Sequence, residues 1–278
     1  HSNNLNLKVI ARCIHVLFST ASAAPESRIV GGDHVTIEEV PYAVAYTYHY
    51  PVPAITVQRC VGSLISSWHV LTSAFCFTGA VLNNMQVRAG STNSLAGGVL
   101  VNIRDVATHP DYTEAPRSND IAVTFLETAL GISNIINVLY LPPPSYYIPD
   151  GQEVKIVSWG FESENGAQTE TLKQIFLSKI SVEECQSAYD DSENVAVSDT
   201  VICATAANKG MCLGDSGAPM VINNVVVGSS SFFQGCLDDD YPDVFSRVDR
   251  YTDWIVEVAT AGPATRGGAG IRVAPVTL

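Results

Sequence analysis

From residue 42 onward the apolar positions fall in short runs separated by Gly, Pro, Asn, Asp and Ser. The runs are rich in Val, Ile, Tyr and Thr, which suit a pleated, half-buried backbone. They predict strands over 42–48, 60–65, 69–72, 85–89, 99–106, 121–126, 153–159, 171–180, 218–222, 225–231 and 243–248. Many short strands between turn residues read as an all-β sandwich or barrel protein. The stretch Leu141-Pro142-Pro143-Pro144 reads as a stiff linker between two halves. Near the end, Trp254, Ile255 and Val258 recur at helical spacing and predict one helix over 249–260. Residues 263–278 are rich in Gly, Ala and Pro and read as a flexible tail.

Composition narrows the class. The chain has 278 residues, 46% hydrophobic and 15% charged, enough for a substantial core and too apolar for a disordered chain. Its net charge is −13 and it has no Lys/Arg cluster, so neither nucleic acid nor an anionic membrane is an expected partner. The acidic surface reads as a solubilising one. Residues 8–18 form a short apolar run interrupted by Arg12 and His15, followed by Ala21-Ser22-Ala23. Small residues at that spacing fit a cleavage site, so residues 1–23 are expected to be a signal peptide of a secreted, extracellular protein.

Cleavage there would remove Cys13 and leave Cys60, Cys76, Cys185, Cys203, Cys212 and Cys236. Six cysteines suit three disulfides, though by count alone they allow fifteen pairings. No C-x-x-C or clustered His/Cys spacing suggests a metal site, and Gly31-Gly32 lies outside any nucleotide-binding context. Neither a metal nor any other cofactor is expected. No Asn-x-Ser/Thr sequon occurs.

Four separated stretches carry candidate chemistry: Arg28-Ile29-Val30-Gly31-Gly32, the run from Ser67 to Cys76, Asn119-Asp120-Ile121-Ala122-Val123, and Cys212-Leu213-Gly214-Asp215-Ser216-Gly217-Ala218-Pro219. In this order they resemble the chymotrypsin-like (S1) serine proteases over most of residues 28–255. The resemblance implies two antiparallel six-stranded Greek-key barrels with a short C-terminal helix. It places an activation peptide at 24–28, barrel 1 at about 29–140, barrel 2 at about 145–248, and a domain ending near 262. It selects the pairs Cys60–Cys76, Cys185–Cys203 and Cys212–Cys236. Cleavage after Arg28 would free the Ile29 ammonium to pair with Asp215, the family's zymogen switch. Ser216 takes the nucleophile position, the N–H groups of Gly214 and Ser216 the oxyanion hole, and Asp120 the triad carboxylate.

The decisive departure is Phe75, which stands where the family carries its general-base histidine. A phenyl ring has no titratable proton, and an unassisted serine is a poor nucleophile. His34, His49, His69 and His109 remain in the mature chain, but a base must lie about 3 Å from the hydroxyl it serves. Asp120 then has no imidazole to orient, so backbone amides near Phe75 and the Ser231 hydroxyl are its expected partners. Ala218 replaces the second glycine of the serine motif. In the specificity pocket, Gly210 falls at the floor and Asp243 on the wall, an arrangement shared by some arthropod digestive relatives. Ser231-Phe232-Phe233 resembles the wall strand, with Phe233 expected to obstruct the entrance.

These departures make the chain resemble a catalytically degenerate, arthropod-type serine protease homologue, a monomer binding proteins or peptides. Such homologues take part in cascade regulation, in decoy binding of protease inhibitors, or in gut secretion. The five Lys against ten Arg also resemble secreted proteases of alkaline insect guts. Two other readings stand beside this one: an active endopeptidase using Ser216 with an unconventional base, and a residual esterase limited to activated esters.

Overall fold

The structure is a computed structural model, and it describes residues 31–236, 238, 240–261 and 270–275. The expected signal and activation peptides, Arg28, Ile29 and, in the tail, residues 263–269 and 276–278 lie outside the described residues. In chain order the first strands are β1 (Asp33–His34), β2 (Ala43–Pro51), β3 (Ala54–Leu64), β4 (His69–Thr72), β5 (Met85–Ala89), β6 (Val99–Thr108), β7 (Thr113–Glu114) and β8 (Arg117–Ser118). There follow β9 (Ala122–Leu126), β10 (Glu153–Ser158), β11 (Lys173–Lys179), β12 (Val201–Thr205), β13 (Pro219–Ile222), β14 (Val225–Phe232) and β15 (Asp243–Arg247). Helix α1 covers Val182–Ala188 and α2 covers Thr252–Thr260.

Strands β2-β3-β4-β9-β6-β5 close the first barrel. The second runs β11-β10-β13-β14-β15-β12 and closes through β11–β12, with β1 added beside β11. All ladders in both barrels are antiparallel. The short hairpin β7–β8 stands apart from both. Alternation explains closure: in β5, Met85, Val87 and Ala89 are buried while Gln86 and Arg88 are only half-buried. Tyr46 is buried inside barrel 1, and its hydroxyl is satisfied by Thr124 Oγ1 at 2.7 Å. One apolar cluster runs through both barrels, from Val61 and Leu71 to Ile156, Trp159, Met220 and Phe245. Three disulfides join Cys60 to Cys76, Cys185 to Cys203 and Cys212 to Cys236.

Three features differ from the hydrophobic pattern. Strand β3 starts six residues early, because Ala54–Gln58 pairs with β2 while most of it stays exposed and carries no burial signal. Strand β12 and helix α1 are not marked by the pattern. The helix nevertheless has a start signal in Ser181-Val182-Glu183-Glu184, where Ser181 Oγ accepts from Glu184 N. The third difference is in the tail. Leu141 N donates to Arg272 O and Ala274 N donates to Leu141 O, both at 2.8 Å, and Ile271 and Ala274 pack on the core. Two apolar side chains and a backbone bridge hold a segment that composition alone marks as mobile.

The seam between barrels fixes the serine loop. Val61 N donates to Ser216 O at 2.9 Å, and Thr72 Oγ1 donates to Val61 O at 2.7 Å. Gly217 adopts φ +82°, and a Cβ there would fall on Thr72 Oγ1 and Val61 O. Gly217→Ala is therefore expected to cost about 2–3 kcal/mol, combining a left-handed backbone with overpacking. Equilibrium urea unfolding would measure it; a loss below about 0.5 kcal/mol, the scale of an unremarkable surface change, would count against this account.

Candidate active site

Ser216 lies in the turn between β12 and β13, 9% exposed. Gly217 N donates to Ser230 O at 2.8 Å and Ser230 N to Ala218 O at 2.9 Å, tying this turn to β14. The Ala218 methyl is fully buried. Phe75 lies in a short 3-10 turn, Ala74–Phe77, that follows β4 and is capped by Ser73. The neighbouring Cys76 sulfur lies 3.7 Å from Ser216 O. The turns bearing Phe75 and Ser216 are therefore adjacent, although 141 positions separate the two residues.

Asp120, immediately before β9, is 1% exposed. Its Oδ1 accepts from Ser73 Oγ at 2.7 Å and Phe75 N at 2.8 Å, and its Oδ2 from Ser231 Oγ at 2.7 Å. Burial raises its pKa, and the three hydrogen bonds and the nearby Arg117 charge oppose that rise. The carboxylate is thus satisfied by groups that need no imidazole. Sequence reasoning misses Ser73, whose one local signal is its N-cap position before an apolar turn.

The histidines are engaged elsewhere. His69 Nδ1 is 2.7 Å from Ser66 Oγ, with its ring edge-on to Phe125, and burial pushes its pKa down to about 4. His49 contacts Thr56, and the His109 ring meets Tyr251 edge-on and Trp254 at a tilt. His34 pairs through its backbone with Lys173 in β11. Among the described residues the Ser216 hydroxyl has no hydrogen-bond partner, imidazole or other.

The backbone of the serine turn is held from the side. Gln58 Nε2 donates to Gly214 O at 2.8 Å and to Cys60 O at 2.9 Å. Gln168 Nε2 in turn donates to Gln58 O at 2.6 Å and contacts Gln58 Oε1. The N–H groups of Gly214 and Ser216 donate to no protein acceptor among the described residues. Neither glutamine carries a local sequence signal, because each acts on a turn far away along the chain.

Asp215 is fully buried. It accepts from Ser158 Oγ, from Gly160 N at 2.9 Å and from Cys212 N at 2.8 Å. Burial pushes its pKa up to about 7, and among the described residues no cation contributes to the balance. Asp243 accepts from Met211 N at 2.9 Å, and burial pushes its pKa up to about 8. Gly210 and Asp243 share a cavity of about 10 Å³ with Thr205, Lys209, Gly235, Asp238 and Tyr241. That is room for about one water molecule. Phe233 is half-buried against the core cluster and does not line this cavity. Among the described residues no three His, Cys, Asp or Glu side chains gather where they could hold a metal.

Comparison with known proteins agrees with this architecture. The trypsin family model matches residues 29–255. Trypsin CFT-1 of Choristoneura fumiferana is 32% identical over 90% of this chain and 98% of its own length. The alkaline trypsin C of Manduca sexta is 32% identical over 86% of this chain and 94% of its own. Trypsin 5G1 of Aedes aegypti is 33% identical over 84% and 85%. Among solved structures, the scabies mite inactivated protease paralogue S-D1 shares the fold, with a TM-score of 0.75 at 22% identity over 84% of this chain and 97% of that one. The two barrels, the serine turn at their seam and the match over residues 29–255 have one conclusion: the chain belongs to the trypsin family of chymotrypsin-like serine proteases.

Proposed function

We propose that this chain is a secreted serine protease homologue that binds proteins and does not cleave them. The observation carrying the reading is the Phe75 ring at the general-base position, with no imidazole bonded to Ser216 among the described residues. In serine proteases with this triad, on this fold and on others, loss of one triad residue costs on the order of 10⁴ to 10⁶ in turnover. The small cavity at Gly210 and Asp243, about 10 Å³ among the described residues, supports the same reading. A solved structure described as an inactivated protease paralogue has the same fold, so the architecture is compatible with lost turnover.

The partners are proteins that recognise a protease surface, namely protease inhibitors or proteases of a cascade, met by the monomer outside the cell. Cleavage after Arg28 would supply Asp215 with the ammonium that its burial calls for, and would order the pocket loops around Asp243. A residual esterase is the second reading. It is favoured by the unoccupied N–H groups of Gly214 and Ser216, which are suited to a developing oxyanion.

The full chain, cut after Arg28, would be incubated with a fluorophosphonate, peptide substrates and an activated ester. Slow Ser216 labelling and intact peptides are expected. Rapid labelling with robust peptide cleavage would sink the proposal, and ester turnover without peptide cleavage would favour the second reading.

A further inference from the structure

We infer that Arg117 is a specificity-determining residue that keeps an extended peptide out of the cleft beside Ser216. This deepens the binding reading above and rests on it. Arg117 belongs to β8, and its main chain is fixed on both sides: Arg117 N donates to Asn194 O at 2.8 Å, and Ala196 N to Arg117 O at 3.0 Å. From that anchored strand the side chain crosses to Phe75. The guanidinium carbon lies 3.8 Å from the Phe75 ring centroid and 5.9 Å from that of Phe232. Nη1 donates to Ser231 O at 2.8 Å, while Nε is buried without a partner.

The company this cation keeps is unusual for so acidic a chain. With 28 Asp and Glu against 15 Lys and Arg, no described carboxylate lies within ion-pair distance of it. Its partners are instead an aromatic face and a main-chain carbonyl. Phe75 thereby gains a role beyond the loss of a base. Its ring is the platform on which a planar guanidinium stacks, as an ammonium would do less well.

The carbonyl is the telling contact. In the β14–β15 ladder the register passes from Ser230↔Phe245 to Phe232↔Val244, so Ser231 stands out of the pairing as a bulge. Its carbonyl is left over for something lying against β14. A peptide adding itself as a strand along 231–233 needs such an acceptor for its own N–H. Arg117 has already taken it, beside a serine turn that is itself bonded to Ser230. A peptide must therefore displace a stacked, half-buried cation and leave its donors unpaired. Partners are directed to the rim of the cleft, away from its floor.

The test is a binding comparison that needs no chemistry at Ser216. The full chain cut after Arg28, its Arg117→Ala variant and its Arg117→Lys variant would be titrated with N-acetyl-Ala-Ala-Val-Ala-amide by NMR. Affinity is expected to rise about tenfold or more in Arg117→Ala and by less in Arg117→Lys, which keeps charge but loses the planar stack. If Arg117→Ala melts below the assay temperature, Arg117→Lys against the native chain carries the same comparison. Equal affinities overturn the inference, and so does a failure of every form to bind. Fluorophosphonate labelling of the same proteins reports separately on the silent-serine reading, which can fail while the Arg117 effect stands.

Discussion

Phe75→His is expected to raise hydrolysis of an activated ester by about 10²- to 10⁴-fold, the range that a positioned general base contributes. The groups that would receive an imidazole are in place. Asp120 is held by Ser73 and Ser231 independently of the ring at position 75, and the Ser216 turn is pinned to Val61 and Ser230. Peptide hydrolysis is expected to lag behind ester hydrolysis. The guanidinium that now stacks on Phe75 would face the new imidazole, depress its pKa and still hold the Ser231 carbonyl. Adding Arg117→Ala to Phe75→His should narrow the gap between the two substrates. Steady-state kinetics on an anilide peptide and a nitrophenyl ester would measure both effects. No gain on the ester would show that more than the base is missing, and Ala218 would be the first residue to revert to glycine.

The second large effect concerns pH. Stability of the uncut chain is expected to fall as pH rises from about 4 to about 8, by several kcal/mol in total. The ordinary value for these carboxyls is 3.8, whereas folding raises Asp215 to about 7 and Asp243 to about 8. Between those limits the two carboxyls bind more protons in the folded chain than in the unfolded one, and together they outweigh His69, whose pKa of about 4 acts in the opposite sense below about pH 6.5. Unfolding then releases protons, so raising the pH favours the unfolded state. Below about pH 4 the two carboxyls are protonated in both states and impose no penalty; above about 8 the full penalty of burying their charges is present. Asp243→Asn should flatten the slope toward its upper end. Cutting after Arg28 should reduce the Asp215 share, because an ammonium partner would draw its pKa down. Urea unfolding at several pH values would test this, and a flat or rising profile in the uncut native chain would contradict it.

The barrels are largely legible in the sequence because their strands alternate strongly or are wholly buried, as in β5 and β9. Strand β3 is legible only in part, because its first residues are held by pairing and not by burial. Phe75 is legible for a different reason: a known motif fixes what its position should hold. Its contact with Arg117 is not legible. The two residues are 42 positions apart, and the contact depends on how β8 is anchored to the 194–196 segment. The Gln58–Gln168 pair is similarly remote, with 110 positions between its members. Side chains whose work is done across the seam leave no periodic trace.

The bridge between Leu141 and residues 272–274 gives the chain end a mechanical role. A pull applied at the C-terminus reaches this bridge before it reaches α2, so load enters the molecule at the linker joining the two barrels. The Arg272 guanidinium, 5.9 Å from the Tyr140 ring, lies on that path. A tether or fused domain attached there would tug first on this contact between the linker and the tail and only afterwards on either barrel.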